Sequence, residues 1–252
     1  MNIEIIQCLS DNYSYLVIEK ETNTVSIIDP SDFDACDEII KKHNKLDYIL
    51  NTHHHVDHVD GNLKLKKKYN SKILGFEGDE DRIPGIDILL KDGQHFKIGE
   101  LKFEVIYIPG HTKGHVAYYF ERQKVVFSGD TLFSLGCGRV FEGTLDEMFN
   151  SLNKLKKLPP ETKVYCGHEY TKKNLDFCLK YDTENLMLIK KGNLINTKIK
   201  KNLPTIPTTI DEEIKTNIFF RCDNVDIKKA LNETGSSDQE IFNKLRDLKD
   251  NF

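Results

Sequence analysis

A chain of 252 residues, of which 38% are hydrophobic, is long enough for one large domain or for a main domain with an appendage. Its formal net charge of −4 gives no overall attraction to nucleic acid or to an anionic membrane, so we expect neither as a partner. No stretch approaches the ~20 apolar residues of a membrane span. The amino terminus also lacks a basic segment followed by an apolar one, which predicts a cytoplasmic protein.

The amino-terminal part of the chain shows the alternating polarity of strands, followed by helical spacing. The predicted strands are 3–8, 14–19, 24–29 and 46–50. Helices are predicted over 33–43 and 58–69, on either side of the fourth strand. This alternation of strands and helices predicts the α/β class.

The segment Thr52–His58, with the sequence THHHVDH, places four imidazoles and a carboxylate directly after the fourth predicted strand. Alternate residues of an extended segment share a face, so His53 and His55 can turn toward the same point as Asp57 and His58. Burying so many polar groups side by side without a cation is costly. The spacing therefore predicts a metal site.

Three later turns repeat this order of strand, tight turn and ligand. Each contains glycine, follows an apolar segment and carries a histidine or an aspartate, namely His111, Asp130 and His168. Taken alone, each residue has a simpler interpretation, because such histidines are commonly core or capping residues and an aspartate in Gly-Asp-Thr is commonly a turn residue. Their occurrence together favours metal binding.

Four of the nine histidines are predicted not to bind metal: His43, His54, His95 and His115. His54 should point away from its neighbours by strand alternation, and we interpret His115 as a residue that supports the ligands. The six cysteines form no CxxC pair, and without a signal peptide we expect free thiols.

The remaining elements are predicted from apolar spacing. Further strands are expected over 103–108, 115–121, 124–128 and 163–166, with a helix over 145–158. From Tyr170 onward the strand and turn pattern stops, and lysine, asparagine and helical spacing dominate. We therefore predict a catalytic domain over 1–169 and a smaller helical domain over 170–252, with one or two helices in 171–201 and another over 238–249.

The order HxHxDH, His, Asp, His resembles the metallo-β-lactamase superfamily over roughly the first two thirds of the chain. The resemblance narrows to the glyoxalase II, or hydroxyacylglutathione hydrolase, family. The segments that carry it are Gly129–Phe133, Gly136–Arg139, Phe141–Thr144, Tyr165–Tyr170 and Arg246–Phe252. The resemblance implies an α/β/β/α sandwich with a carboxy-terminal helical domain.

The resemblance also implies two metal sites. One ion would be bound by His53, His55 and His111, the other by Asp57, His58 and His168, and Asp130 would bridge them. Zinc is the expected metal, with iron or manganese as alternatives, because His and Asp ligands accept all three. Two cations sharing a water would lower its pKa from ~15.7 toward neutrality. The resulting metal-bound hydroxide, beside Asp57 and Asp130 as catalytic residues, would attack a thioester carbonyl.

The implied substrate is S-D-lactoylglutathione, a small molecule with carboxylates at both ends, and the implied products are glutathione and D-lactate. The substrate-binding positions of the family correspond to Arg139, Phe141, His168, Tyr170, Arg246 and Lys249. The family often has tyrosine where this chain has Phe141, and lysine where it has Arg139, so affinity for glutathione is expected to differ. We expect a monomer.

Two other activities of the same fold remain open at this point. An RNA-processing nuclease would use the same ligands but would need a basic surface, which the acidic balance disfavours. A persulfide dioxygenase relative would use one iron, so two metal ions per chain would argue against it.

Overall fold

The computed structural model describes all 252 residues, which divide into two compact units. Unit 1 comprises Met1–Tyr107 and Thr112–Gly129, and unit 2 comprises Ile108–His111 and Asp130–Phe252. The short segment Ile108–His111 therefore belongs with the carboxy-terminal half of the chain. The domain boundary predicted between residues 169 and 170 stays a prediction.

The first sheet of unit 1 has six strands in the order in which they occur along the chain. These are β1 (Asn2–Cys8), β2 (Asn12–Ile18), β3 (Val25–Ile28), β4 (Tyr48–Leu50), β5 (Lys72–Phe76) and β6 (Ile88–Leu90). The first three strands pair antiparallel, and β3 to β6 pair parallel. The parallel strands need crossover connections, which is where the helices of unit 1 lie.

Unit 1 contributes four antiparallel strands to the second sheet, in the order β10, β9, β8, β7. They are β7 (His95–Ile98), β8 (Leu101–Tyr107), β9 (Val116–Phe120) and β10 (Val125–Gly129). The inner faces of the two sheets meet where the rings of Tyr15 and Phe127 lie 5.3 Å apart. The Tyr118 hydroxyl also donates to the Asn51 carbonyl oxygen at 2.6 Å. The predicted sandwich of packed sheets is confirmed.

The helices of unit 1 are α1 (Phe33–Ile40), α2 (Val56–Val59) and α3 (Asn62–Tyr69). Helix α1 starts at Asp32, whose side chain accepts from the Ala35 amide, and it buries Cys36 and Ile40 in the core of the first sheet. The predicted helix over 58–69 is instead two helices. Between them the Gly61 amide donates to the Pro30 carbonyl oxygen at 2.9 Å, and a Cβ atom at Gly61 would come within 2.8 Å of that oxygen.

Unit 2 contains most of the helices. Its strands are β11 (Leu132–Phe133), β12 (Gly136–Cys137), β13 (Lys163–Cys166) and β14 (Thr208–Thr209), and its helices are α4 (Leu145–Lys156), α5 (Thr171–Tyr181), α6 (Leu186–Lys200), α7 (Ile210–Thr216), α8 (Val225–Ala230) and α9 (Asp238–Asp250). Helix α4 begins with a capping box between Thr144 and Glu147, and α9 with one between Ser237 and Glu240. The predicted helices of this region are confirmed, and α7 and α8 are additional.

All six cysteines are buried and free, as predicted. Cys166 is completely enclosed, and the loss of solvation raises the pKa of its thiol to about 12. None of the helices has both the length and the apolar composition that a membrane crossing requires.

Candidate metal centre

Unit 1 holds four of the seven predicted ligands on the short segment that follows β4. His53 and His58 are fully buried, and their rings lie 4.2 Å apart. His53 Nε2 lies 3.1 Å from His55 Nδ1, and Asp57 Oδ2 lies 3.8 Å from His58 Nε2. The structure therefore brings these four side chains together within unit 1.

Asp29, at the end of β3, orients two of these histidines. Its carboxylate accepts from the Thr52 amide at 2.7 Å, from the Thr52 hydroxyl at 2.6 Å and from His58 Nδ1 at 3.1 Å. Because the Thr52 hydroxyl donates to Asp29, its oxygen accepts from His53 Nδ1, 3.1 Å away. Both imidazoles are thereby held with their lone pair on Nε2.

Asp29 also lies close enough to His53 and His58 for the three to form a possible metal-binding group, with ligand atoms within 4.8 Å of one another. Three donors already occupy its carboxylate, so we interpret Asp29 as the partner of the ligands and not as a ligand itself. A histidine that binds metal usually donates its other ring N–H to a carboxylate or a carbonyl. This donor set therefore fits a divalent metal.

We expect the Asp29→Asn variant to bind metal about 10- to 100-fold more weakly, the usual effect of losing such a partner. An amide at this position would present an NH₂ group to donors that now face a carboxylate, and His58 would lose the acceptor that fixes its tautomer. Competition with a chromophoric chelator measures the affinity. Asp34→Asn, on the exposed side of α1, is the control and should leave the affinity unchanged.

Unit 2 holds the other three predicted ligands, His111, Asp130 and His168, all of them buried. Asp130 Oδ2 lies 3.5 Å from His111 Nε2 and 3.2 Å from His168 Nε2. His111 Nδ1 donates to the Arg139 carbonyl oxygen at 2.8 Å, which again leaves the lone pair on Nε2. The carboxylate therefore faces the Nε2 atoms of both histidines.

The loop that follows Asp130 is held in place by helices of unit 2. Glu213 accepts from the Leu135 amide at 2.7 Å, and the Asn217 side chain donates to the Gly136 carbonyl oxygen at 3.1 Å. Asn174 donates to the Ser134 carbonyl oxygen at 3.1 Å. Gly138 allows a close approach here, since a Cβ atom would lie 1.9 Å from the carbonyl oxygen of Asp130.

The two histidines near the ligands that were predicted not to bind metal have other partners. His54 Nδ1 lies 3.1 Å from a carboxylate oxygen of Asp79, which is fully buried and also binds the Arg82 guanidinium. His115 is fully buried and stacks on His53, with ring centroids 4.7 Å apart. His54 thus bonds outside the set of predicted ligands, whereas His115 packs directly against the predicted ligand His53.

Two of the predicted substrate-binding residues, Phe141 and Tyr170, contact predicted ligands of unit 2. Phe141 is 62% exposed, and its ring meets the His111 ring edge-on at 5.2 Å. Tyr170 stacks on His168 with ring centroids 4.7 Å apart. Aromatic faces beside the ligands are suited to contact an organic substrate.

The three predicted cationic contacts differ in exposure. Arg139 is largely exposed and its Nε lies 3.3 Å from Asp250. Arg246 is only 3% exposed and donates to the Cys137 carbonyl oxygen at 2.8 Å and to Asp250 at 2.9 Å. Lys249 is half-buried, and desolvation together with the positive charge of Arg246 lowers the pKa of its ammonium group. Arg139 and Lys249 are therefore better exposed to a ligand than Arg246.

Sequence reasoning missed three residues that support the predicted ligands, namely Asp29, Thr52 and Asn12. Thr52 precedes the ligand motif directly and could have been considered. Asn12, whose amide binds Asp57, lies 45 positions away along the chain and has no local signal.

Comparisons with known proteins cover the whole chain. Residues 11–168 match the model of the metallo-β-lactamase superfamily, and residues 169–252 match the model described as the hydroxyacylglutathione hydrolase C-terminus. A hydroxyacylglutathione hydrolase of Pelagibacter ubique is 51% identical over all of this chain and all of its own.

Two solved structures are similar in fold. ETHE1 from Myxococcus xanthus superposes with a TM-score of 0.70 at 23% identity, covering 98% of this chain and 91% of its own. TTHA1623, solved in a di-iron-bound form, gives a TM-score of 0.61 at 25% identity, covering 87% of this chain and 100% of its own.

The fold and the clusters of His and Asp side chains indicate two metal ions. The relative from Pelagibacter ubique matches this chain along its full length, and residues 169–252 match the hydroxyacylglutathione hydrolase C-terminus. The chain therefore belongs to the hydroxyacylglutathione hydrolase family, within the metallo-β-lactamase superfamily.

Proposed function

We propose that this enzyme hydrolyses S-D-lactoylglutathione, and S-2-hydroxyacylglutathiones in general, to glutathione and the 2-hydroxy acid. This reaction is the second step of methylglyoxal detoxification. The observation that carries the proposal is the full-length match to a relative named hydroxyacylglutathione hydrolase, including residues 169–252. The histidine and aspartate clusters of both units support it.

We propose further that His53, His55, Asp57, His58, His111, Asp130 and His168 bind two divalent ions. Zinc is the metal we propose, with iron and manganese as alternatives, since nitrogen and carboxylate ligands suit all three. The di-iron form of TTHA1623 supports a pair of ions in this fold. When bound, such ions polarise a carbonyl group and lower the pKa of water.

The residues of this chain then have separate tasks. Asp29 and the Arg139 carbonyl group hold His58 and His111 in one tautomer, so that each presents Nε2 as a ligand. Asp57 and Asp130 supply the carboxylate charge. The leaving group is a thiolate, and since free thiols have a pKa near ~8.5, it needs little protonation, so no additional general acid is required.

For the substrate we propose contacts with Arg139, Phe141, His168, Tyr170, Arg246 and Lys249. Guanidinium and ammonium groups would bind the glutathione carboxylates, and the aromatic rings would pack against its backbone. Phe141 cannot donate the hydrogen bond that a tyrosine would make. We also propose that the enzyme is a cytoplasmic monomer that binds neither nucleic acid nor membranes.

The decisive experiment measures thiol release from S-D-lactoylglutathione together with the metal content of the same sample. We expect hydrolysis with two ions per chain, its loss after treatment with a chelator, and its recovery when metal is restored. If the protein binds two ions but releases no thiol, the proposed substrate is wrong. If the protein hydrolyses the thioester without metal, the proposed role of the metal site is wrong.

We expect Lys249→Ala to raise KM for S-D-lactoylglutathione about tenfold with little change in kcat. A contact remote from the reacting carbonyl binds the ground state and the transition state alike, so its loss appears in KM. Steady-state kinetics measure both constants. Lys229→Ala, on exposed α8, is the control, and an unchanged KM for Lys249→Ala would remove this residue from substrate binding.

A further inference from the structure

Asn12, the first residue of β2, makes two hydrogen bonds to the predicted ligand Asp57. Its side-chain amide donates to the Asp57 carboxylate oxygen Oδ2 at 3.0 Å and to the Asp57 carbonyl oxygen at 3.1 Å. Asn12 is only 4% exposed, so the amide is held within unit 1. Both hydrogens of the NH₂ group are accounted for by these two acceptors.

The side chain of Asp57 is partly open to solvent. Asp57 lies in α2, a helix of only four residues, and its side chain is 41% exposed. A carboxylate in such a position can adopt several rotamers, and holding it in one of them costs conformational entropy. A hydrogen bond from a buried donor selects one of them, and the second bond fixes the backbone of the same residue.

The donor is also suited to a carboxylate that must bind a cation. A lysine or arginine at position 12 would neutralise the charge of Asp57 and compete with the metal, whereas an amide is neutral and leaves the charge in place. The oxygen that Asn12 holds, Oδ2, is the one that lies 3.8 Å from His58 Nε2. Asn12 thus sets how Asp57 faces the ring nitrogen that would bind the same ion.

We infer that Asn12 is a positioning residue that sets the affinity of one of the two metal ions, the one that Asp57 and His58 would share. The inference rests on the proposed binuclear site. Its consequence is selective, because both hydrogen bonds of the Asn12 amide go to Asp57. Loss of its amide should therefore lower the affinity for one ion and leave the affinity for the other unchanged.

The test is a zinc titration of the metal-free chain in competition with a chromophoric chelator. Wild-type protein should bind two ions with two measurable affinities. In Asn12→Ala, one affinity should fall about 10- to 100-fold, as is usual when a partner of a ligand is lost, and the other should stay within about threefold of its wild-type value. Asn12→Leu, which keeps the branching at Cγ but lacks the donor, should give the same result.

Asn185→Ala is the matched control. The Asn185 side chain accepts from two amides as the cap of α6, and its NH₂ group donates to Asp182 and to the Lys215 carbonyl oxygen, so its loss should lower stability without changing either affinity. Thermal melts of the metal-free variants separate stability from binding. An equal fall of both affinities, or no fall in either Asn12 variant, would overturn the inference. A wild-type chain that cannot bind two ions would instead overturn the proposed site.

Discussion

Replacing Asp130 with asparagine should lower kcat about 1,000-fold and reduce the bound metal to one ion per chain or fewer. The Asp130 carboxylate lies between His111 and His168, within 3.5 Å of both Nε2 atoms, and the proposed site uses it as the shared ligand. Metal ions typically supply several kcal/mol of transition-state stabilisation, and each 1.36 kcal/mol corresponds to tenfold in rate. Asparagine has the same shape but no charge, so the loss reports on the carboxylate itself.

Metal analysis and steady-state kinetics on the same preparation measure both effects. Asp226→Asn, at an exposed position of α8, is the control and should retain two ions and wild-type kcat. His55→Ala should behave as Asp130→Asn does, because it removes a ligand from unit 1. Full metal content with normal turnover in either ligand variant would contradict the assignment of the seven ligands.

The proposed ligands could be selected from the sequence because each lies in a short motif that carries its own signal. His53, His55 and His58 lie within the seven-residue segment Thr52–His58. The apolar run of β4 ends just before it, so a turn is expected there. The partners that orient these ligands carry no such signal. Asp29 ends a different strand, and its contact with His58 depends on the parallel pairing of β3 with β4.

The fold was predictable where a regular apolar pattern extends over many residues. The early hairpin, α4 and α9 follow the expected spacing closely. The short strands β5, β6 and β7 were not predicted, because they have three to five residues each and gain stability from pairing with neighbours and not from their own composition. The break at Gly61 depends on its close approach to Pro30, which no local pattern reveals.

Arg246 shows how a family resemblance and helical spacing can point in different directions. The resemblance places it among the substrate contacts, whereas its position on α9 groups it with Phe242 and Leu245 on the buried face. Its guanidinium holds the Cys137 carbonyl group and stacks over Phe219 at 5.2 Å. An Arg246→Ala variant should therefore lose stability as well as substrate affinity, which makes Lys249→Ala the cleaner test of binding.

Glu213→Gln should lower the free energy of unfolding by about 3–5 kcal/mol, the usual cost of removing one partner from a buried ion pair. Glu213 is completely buried and accepts from Lys191 Nζ at 2.7 Å, Thr208 Oγ1 at 2.6 Å, the Leu135 amide at 2.7 Å and the Asn217 side chain at 2.9 Å. Glutamine has the same size, but its NH₂ group would face groups that now donate to a carboxylate oxygen. The substitution also leaves the charge of Lys191 without its counterion.

The neighbouring Glu212 supplies a matched control, because its carboxylate lies 3.5 Å from the same Lys191 ammonium group but is 52% exposed. Water screens such a pair, so Glu212→Gln should cost no more than about 1 kcal/mol. Urea denaturation of the two variants, each with its full metal content, compares the costs directly. Equal losses would show that charge near Lys191 matters and burial does not. A loss confined to Glu213→Gln would show that the buried carboxylate contributes to holding the loop after Asp130, together with Asn174 and Asn217, since Glu213 is the side chain that binds the Leu135 amide.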